Sequence, residues 1–76
     1  MSIIEDLEEK VAKLCDERIH AAEGMIKFGG SFTRNLGHAL MKADIGNTKK
    51  IKEAFPKEWE EHKNLWLAFK ERENNE

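Results

Sequence analysis

The first 23 residues contain neither glycine nor proline, and this uninterrupted stretch constrains the fold more than any other feature of the sequence. Ser2 and Glu5 form a capping-box pattern, which predicts that a helix begins at about Ile3. From there, apolar residues recur at alternating spacings of three and four, the pattern of one stripe along a helix. We therefore expect a long amphipathic N-terminal helix over about residues 3–27.

The apolar stripe of this helix has the 3.5-residue period of a coiled-coil seam. A chain of 76 residues is close to the size at which a hydrophobic core alone gives little net stability. Self-association would cover apolar surface that the remaining residues do not easily cover, so the sequence predicts a homodimer. Arg18 interrupts the stripe, and the expected oligomer interface therefore consists of Ile4, Leu7, Val11 and Leu14.

Turn and capping residues divide the rest of the chain into three shorter helices. Ser31 follows two glycines and is expected to cap the second helix, and Asn47 is expected to cap the third. Pro56 suits the first position of the fourth helix. The predicted helices cover about residues 31–43, 48–55 and 56–70, with a frayed polar tail at 71–76. The expected fold is a compact all-α bundle that forms a single domain over residues 1–76.

The composition argues against a membrane protein and a secreted disulfide scaffold. Charged residues make up 37% of the chain, and no apolar run approaches the roughly 20 residues that span a bilayer. The N-terminus is acidic, whereas a signal peptide begins with basic residues. Cys15 is the single cysteine, so an internal disulfide is excluded and a reducing compartment is favoured. We expect a cytoplasmic protein.

The net charge of −2 conceals an uneven distribution. Residues 24–52 carry six Lys or Arg against one Asp or Glu, whereas the segments on either side are acidic. Within this basic segment, five side chains are predicted to bind an anionic partner, either nucleic acid or an acidic protein face. They are Arg34, Lys42, Lys49, Lys50 and Lys52.

Two interpretations of the basic segment remain open. Lys49 and Lys50 are expected in the first turn of the third helix, where the helix dipole disfavours cations. Local helix stability therefore does not explain them, which favours an external anionic partner. Alternatively, the lysines neutralise the acidic first and fourth helices, within one molecule or across a dimer.

The sequence contains no recognisable catalytic or metal-binding constellation. His20, His38, His62 and Cys15 show no metal-ligand spacing. The stretch of residues 29–31, Gly-Gly-Ser, lacks the lysine of a P-loop. We expect no catalytic residue, no cofactor, no metal site and no small-molecule substrate, and hence not an enzyme.

Residues 39–59, ALMKADIGNTKKIKEAFPKEW, resemble a motif of short helical proteins from bacteriophages and other mobile elements. The motif has the form Ala-Leu-x-x-Ala-Asp-x-x-Asn-x-x-Lys-Ile/Leu-x-x-Ala-Phe-Pro-x-x-Trp. The matching positions are Ala39, Leu40, Ala43, Asp44, Asn47, Lys50, Ile51, Ala54, Phe55, Pro56 and Trp59. The resemblance implies an accessory gene of a phage or mobile element that acts in the bacterial cytoplasm, and it carries over no catalytic residue.

These observations lead to two functional hypotheses. The first is a small non-enzymatic protein-interaction module that binds and modulates or inhibits a bacterial host protein, such as a component of a defence system. The second is a nucleic-acid-binding accessory protein that uses the basic segment of residues 27–52.

Overall fold

The all-α architecture predicted from the sequence is confirmed. A computed structural model describes the backbone of residues 3–74 and the side chains of residues 9–74. These residues form four helices, α1 (Ile3–Phe28), α2 (Ser31–Met41), α3 (Ile45–Ala54) and α4 (Pro56–Asn74). They pack as a helical bundle in which α2 and α4 make most of their contacts with α1.

The core lies along the C-terminal half of α1. Its buried apolar side chains come from α1, α2 and α4, with Leu14, Leu36 and Ile51 packed at its edge. The fully buried members are Ala21, Ala22, Met25, Leu40 and Trp59. The small alanines of α1 allow neighbouring helices to approach closely, and Trp59 supplies much of the core volume.

Two buried glycines set the distances between α1 and its main neighbours. A Cβ atom at Gly37 of α2 would lie 2.9 Å from the carbonyl oxygen of Ala22, and one at Gly24 of α1 would overlap the carbonyl group of His62. At both positions the added carbon atom would be closer than a normal van der Waals contact. A larger residue at Gly37 would therefore push α2 away from α1, and one at Gly24 would push α4 away from α1. Gly37 therefore permits close packing of α2 against α1.

Arg18 connects α1 to the turn between α2 and α3. Its Nη1 atom donates a hydrogen bond of 2.7 Å to the carbonyl oxygen of Ala43. Because Ala43 follows the end of α2, this carbonyl has no partner within a helix. The polar residue that interrupts the apolar stripe of α1 therefore holds the turn against the bundle.

The start of α3 corrects the sequence prediction. The helix begins at Ile45 rather than at residue 48, and its N-cap is Asp44, whose Oδ1 accepts a 2.7 Å hydrogen bond from the backbone N–H of Asn47. The prediction of Asn47 as the cap was wrong. Lys49 and Lys50 consequently lie in the second turn, so the helix dipole no longer makes their positions unusual.

Smaller differences affect the other boundaries. The N-cap of α2 is Gly30, without a side-chain hydrogen bond, and Ser31 is the first helical residue. The helix ends at Met41 rather than at residue 43. At the other end of the chain, α4 continues to Asn74, four residues beyond the expected end.

Candidate protein-binding groove

A groove with a volume of about 650 Å³ opens between α1, α3 and the start of α4. On the α1 side, residues 9–13 are all exposed, and Leu14 is the first residue beyond them that is half-buried. We call this depression between α1, α3 and the start of α4 the groove.

The lining of the groove is mainly apolar and comes from all three helices. Trp59 is fully buried and continuous with the core, whereas Ile45 is 51% exposed. Exposed apolar side chains gathered in a concave surface are typical of a binding site, while single ones are normal on any surface. The apolar lining residues are Val11, Leu14, Ile45, Pro56 and Trp59.

Charged side chains of both signs surround the apolar lining. Ile45, Lys49, Lys52 and Glu53 are spaced at i, i+4, i+7 and i+8, which places them on one face of α3. The lysines on α3 thus lie on the same face of the helix as the apolar Ile45. The charged rim residues are Lys10, Lys49, Lys52, Glu53 and Glu60.

The structure places two of the four predicted oligomer-interface residues in the groove. Val11 is 38% exposed there, and Leu14 is half-buried and also packs against the core. Ile4 and Leu7 belong to α1, but their side chains lie outside the described residues. The groove therefore begins where the predicted apolar stripe of α1 emerges from the bundle.

The five predicted anion-binding residues do not form one surface. Lys49 and Lys52 line the groove, whereas Lys42 and Lys50 line a second depression of about 450 Å³ between α2 and α3. Arg34 is exposed on α2 and lines neither of them. Neighbouring lysines in sequence point in different directions because successive residues of a helix are about 100° apart.

Lys52 is paired within the molecule. Its Nζ lies 2.8 Å from Glu17 Oε2 and 5.5 Å from the ring centre of Trp59, and Lys63 Nζ lies 4.0 Å from Glu17 Oε1. The hydrogen bond from Lys52 lowers the pKa of Glu17, with smaller contributions from the charges of Lys52, Lys63 and Lys13, while burial opposes the shift. For Lys52, the interpretation that the lysines neutralise acidic residues of the same molecule is therefore the correct one, and its ion pair joins α3 to α1.

Lys49 differs from Lys52 in its ion pairing. It is exposed, and among the residues with described side chains no carboxylate lies within ion-pair distance of it. Its charge therefore lies at the rim of the groove, on the same face of α3 as Ile45. Of the two groove-lining lysines in the predicted basic set, Lys49 is the one positioned to meet an external negative charge.

The His62 ring is hydrogen-bonded within its own helix. Nδ1 of His62 lies 2.8 Å from the carbonyl oxygen of Glu58, one helical turn earlier, and donates to it. Cys15 is a half-buried thiol on α1. Within the described part of the chain, no group of three or more His, Cys, Asp or Glu residues is arranged to hold a metal ion. No helix in this part is long and apolar enough to cross a membrane.

Sequence reasoning missed Ile45 and Pro56 as groove residues. Ile45 lies in a segment rich in turn residues, and Pro56 was interpreted only as the start of a helix. A signal for Ile45 was present, because it precedes Lys49 by one helical turn, but it becomes visible only when α3 is known to begin at Ile45.

Comparisons of the chain with models of known protein families, with curated proteins and with solved structures found no match. The resemblance of residues 39–59 to a motif of phage and mobile-element proteins stays an expectation.

Proposed function

We propose that this chain is a small non-enzymatic protein-interaction module and that the groove is its binding surface. The observation that supports this most strongly is the concave lining of Val11, Leu14, Ile45, Pro56 and Trp59 within a rim of charged residues. An apolar centre with a polar rim is the usual anatomy of a protein interface. Burial of the exposed part of this lining, including Val11 and Ile45, would remove apolar surface from water, which favours binding.

The shape and charge of the groove favour an amphipathic helix as the bound element. Helix-in-groove recognition places apolar side chains from one face of a helix into an apolar groove. Lys49 on the rim would select an acidic residue beside that apolar face, because complementary charges at a rim contribute specificity and faster association. The bound helix would therefore carry apolar residues flanked by Asp or Glu.

The biological setting in this proposal comes from the sequence resemblance. A protein with the motif of residues 39–59 would be an accessory protein of a phage or mobile element. We propose that it acts in the bacterial cytoplasm by occupying a surface of a host protein and so modulating or inhibiting it. A component of a bacterial defence system is one such target.

Affinity capture from bacterial lysate tests this function with a matched pair of variants. Ile45 in the groove is 51% exposed, and Ile19 on α1 is 44% exposed and lines neither depression. Ile45→Glu and Ile19→Glu therefore introduce the same charge at similarly exposed positions. We expect the proteins captured by the wild-type chain to be retained by Ile19→Glu and lost by Ile45→Glu. Equal capture by both variants would contradict a role for the groove.

The nucleic-acid alternative has less structural support. Lys49 and Lys50 line different depressions, and Lys52 is held by Glu17, so the basic residues do not present a continuous track for phosphates. A mobility shift at low salt distinguishes the two hypotheses, because phosphate contacts make affinity fall steeply as salt increases. Salt-sensitive binding that Lys50→Glu abolishes would favour nucleic acid over the groove.

A further inference from the structure

We infer that the groove of one molecule receives residues 3–11 of a second copy, so that two chains pack the N-terminal segments of their α1 helices antiparallel and fill both grooves at once. This inference rests on the proposed function of the groove as a protein-binding surface, and it names the occupant. It also gives the predicted dimer an orientation. The sequence placed the dimer interface on α1 alone, and the inference extends that interface to α3.

The spacing of the apolar stripe supports an antiparallel pair. Ile4, Leu7, Val11 and Leu14 are separated by three, four and three residues, which reads the same in both directions. A two-fold axis beside residue 9 therefore places Ile4 opposite Leu14 of the second copy and Leu7 opposite Val11. This contact uses the same surface on both molecules, as a two-fold dimer requires.

The position of the groove extends this contact beyond the α1 helices. Val11 and Leu14 form one wall of the groove, and Ile45 and Pro56 belong to the elements that form the others. A second α1 that lies antiparallel against Val11 and Leu14 brings its N-terminal turns towards α3. The exposed Ile45 side chain would then be covered by the apolar stripe of the second copy.

Charge complementarity supports the same orientation. Residues 5–9 of the incoming segment contain four acidic side chains, and the α3 wall carries Lys49 and Lys52. Lys52 already pairs with Glu17, so Lys49 is the main complement to the incoming carboxylates. In a parallel pair the acidic segments of both copies would lie side by side and repel each other, and neither would reach the α3 wall.

The two proposed occupants of the groove exclude each other. A host protein that binds the groove would do so in place of the second copy, and would convert the dimer into a heterocomplex. Lowering the chain concentration at a constant concentration of the host protein would favour the host complex, because dissociation of the homodimer increases as the chain concentration falls.

Sedimentation velocity on the full chain tests the dimer and the role of Lys49. Lys49→Glu and Lys50→Glu make the same charge change at exposed, adjacent positions, but Lys49 lines the groove and Lys50 lines the other depression. We expect the wild-type chain, of 8.8 kDa, to dimerise at micromolar concentration. Lys49→Glu should weaken dimerisation by about tenfold, the equivalent of one lost ion pair in each groove, and Lys50→Glu should leave it unchanged.

A distance between spin labels tests the orientation. In a Cys15→Ser background, Lys27→Cys provides one label on each chain, eighteen residues from residue 9. An antiparallel pair separates the two labels by about 54 Å along the helix axes, since a helix rises 1.5 Å per residue. A parallel pair places them side by side, at about 10–20 Å given ordinary interhelical spacing and label length. Circular dichroism checks that the variant is folded.

Three outcomes would overturn the inference. They are a folded wild-type chain that stays monomeric at 200 µM, a dimer with the short label distance, and a dimer that Lys49→Glu and Lys50→Glu weaken equally. A monomeric chain whose host partner is still lost through Ile45→Glu would reject the second copy as occupant and leave the proposed function standing. If Ile45→Glu retains the host partners and the chain forms an antiparallel dimer that Lys49→Glu weakens, the proposed function is rejected. The second copy as occupant of the groove then stands.

Discussion

Lys52 Nζ lies 2.8 Å from Glu17 Oε2, and this ion pair joins α3 to the middle of α1. The Glu17 side chain is only 18% exposed, and Lys63 approaches the same carboxylate from α4. Three helices therefore meet at one carboxylate next to the groove. This arrangement fixes the α3 wall, on which the geometry of the groove depends.

The Glu17 carboxylate should make stability depend on pH. Its pKa lies below the ordinary value of 4.5 because Lys52 donates a hydrogen bond to the charged form. The charged form is favoured in the folded state, so the stabilisation is fully present above pH 4.5 and is lost as the pH falls through the lowered pKa. We expect Glu17→Gln to cost about 1 kcal/mol at pH 7, and the difference from wild type to shrink towards pH 3.

Urea unfolding at pH 7 and pH 3 measures this difference. Glu61→Gln is the control, because Glu61 is 56% exposed and lies 4.0 Å from the exposed Lys57. Its effect should stay within about 0.5 kcal/mol at both pH values. An equal loss of stability in Glu17→Gln at pH 7 and pH 3 would show that the ion pair is not the source.

Gly24 should be intolerant of even a methyl group. A Cβ atom at this position would overlap the carbonyl group of His62, so α1 and α4 would have to separate. We expect Gly24→Ala to destabilise the protein by about 1–3 kcal/mol, the usual cost of overpacking.

Gly46→Ala is the control for Gly24→Ala, because there is room for a methyl group at Gly46. The nearest atom to a Cβ there is Asp44 Oδ1 at 3.6 Å, an ordinary contact, and Gly46 lies within α3. Alanine should therefore be neutral or stabilise by up to about 1 kcal/mol. Thermal unfolding of Gly24→Ala and Gly46→Ala measures both effects on stability. A Gly24→Ala protein as stable as wild type would refute the close contact between α1 and α4.

Asp44 should contribute more to stability than Asn47, although both are residue types that favour helix starts. The Oδ1 atom of Asp44 accepts the hydrogen bond from the Asn47 backbone, so Asp44→Ala removes the cap of α3. The expected loss is about 0.5–2 kcal/mol. Asn47→Ala retains the backbone N–H and should change the free energy of unfolding by less than about 0.5 kcal/mol. Urea unfolding measures both losses of stability. A larger loss for Asn47→Ala than for Asp44→Ala would instead support Asn47 as the N-cap of α3.

The sequence predicted the number and order of the helices because those depend on local signals. The first 23 residues, which lack glycine and proline, predicted a long α1, and the tandem glycines and Pro56 predicted its end and the start of α4. The predicted start of α3 was wrong because Asp44 and Asn47 both have side chains that can cap a helix. The choice between them depends on where α2 ends and how Arg18 holds the intervening turn.

The groove itself could not be predicted from local signals. It depends on the crossing of α3 relative to α1, which is set by contacts between residues far apart in sequence, such as Lys52 with Glu17. The sequence identified Val11, Leu14, Lys49 and Lys52 as candidate contact residues, but in two unrelated sets. The structure brings all four into one groove and assigns Lys50 to a different depression.

Competitive acylation of Lys49 and Lys50 is the most direct measurement of whether the groove is a protein interface. The two lysines are adjacent and both exposed, but they line different depressions. Mass spectrometry would compare their labelling in a dilute purified chain, in a concentrated chain and in bacterial lysate. If a protein fills the groove, labelling of Lys49 should fall relative to Lys50 in the concentrated chain or in lysate. A ratio that stays constant under all three conditions, or a selective loss of labelling at Lys50, would contradict the groove as the binding surface.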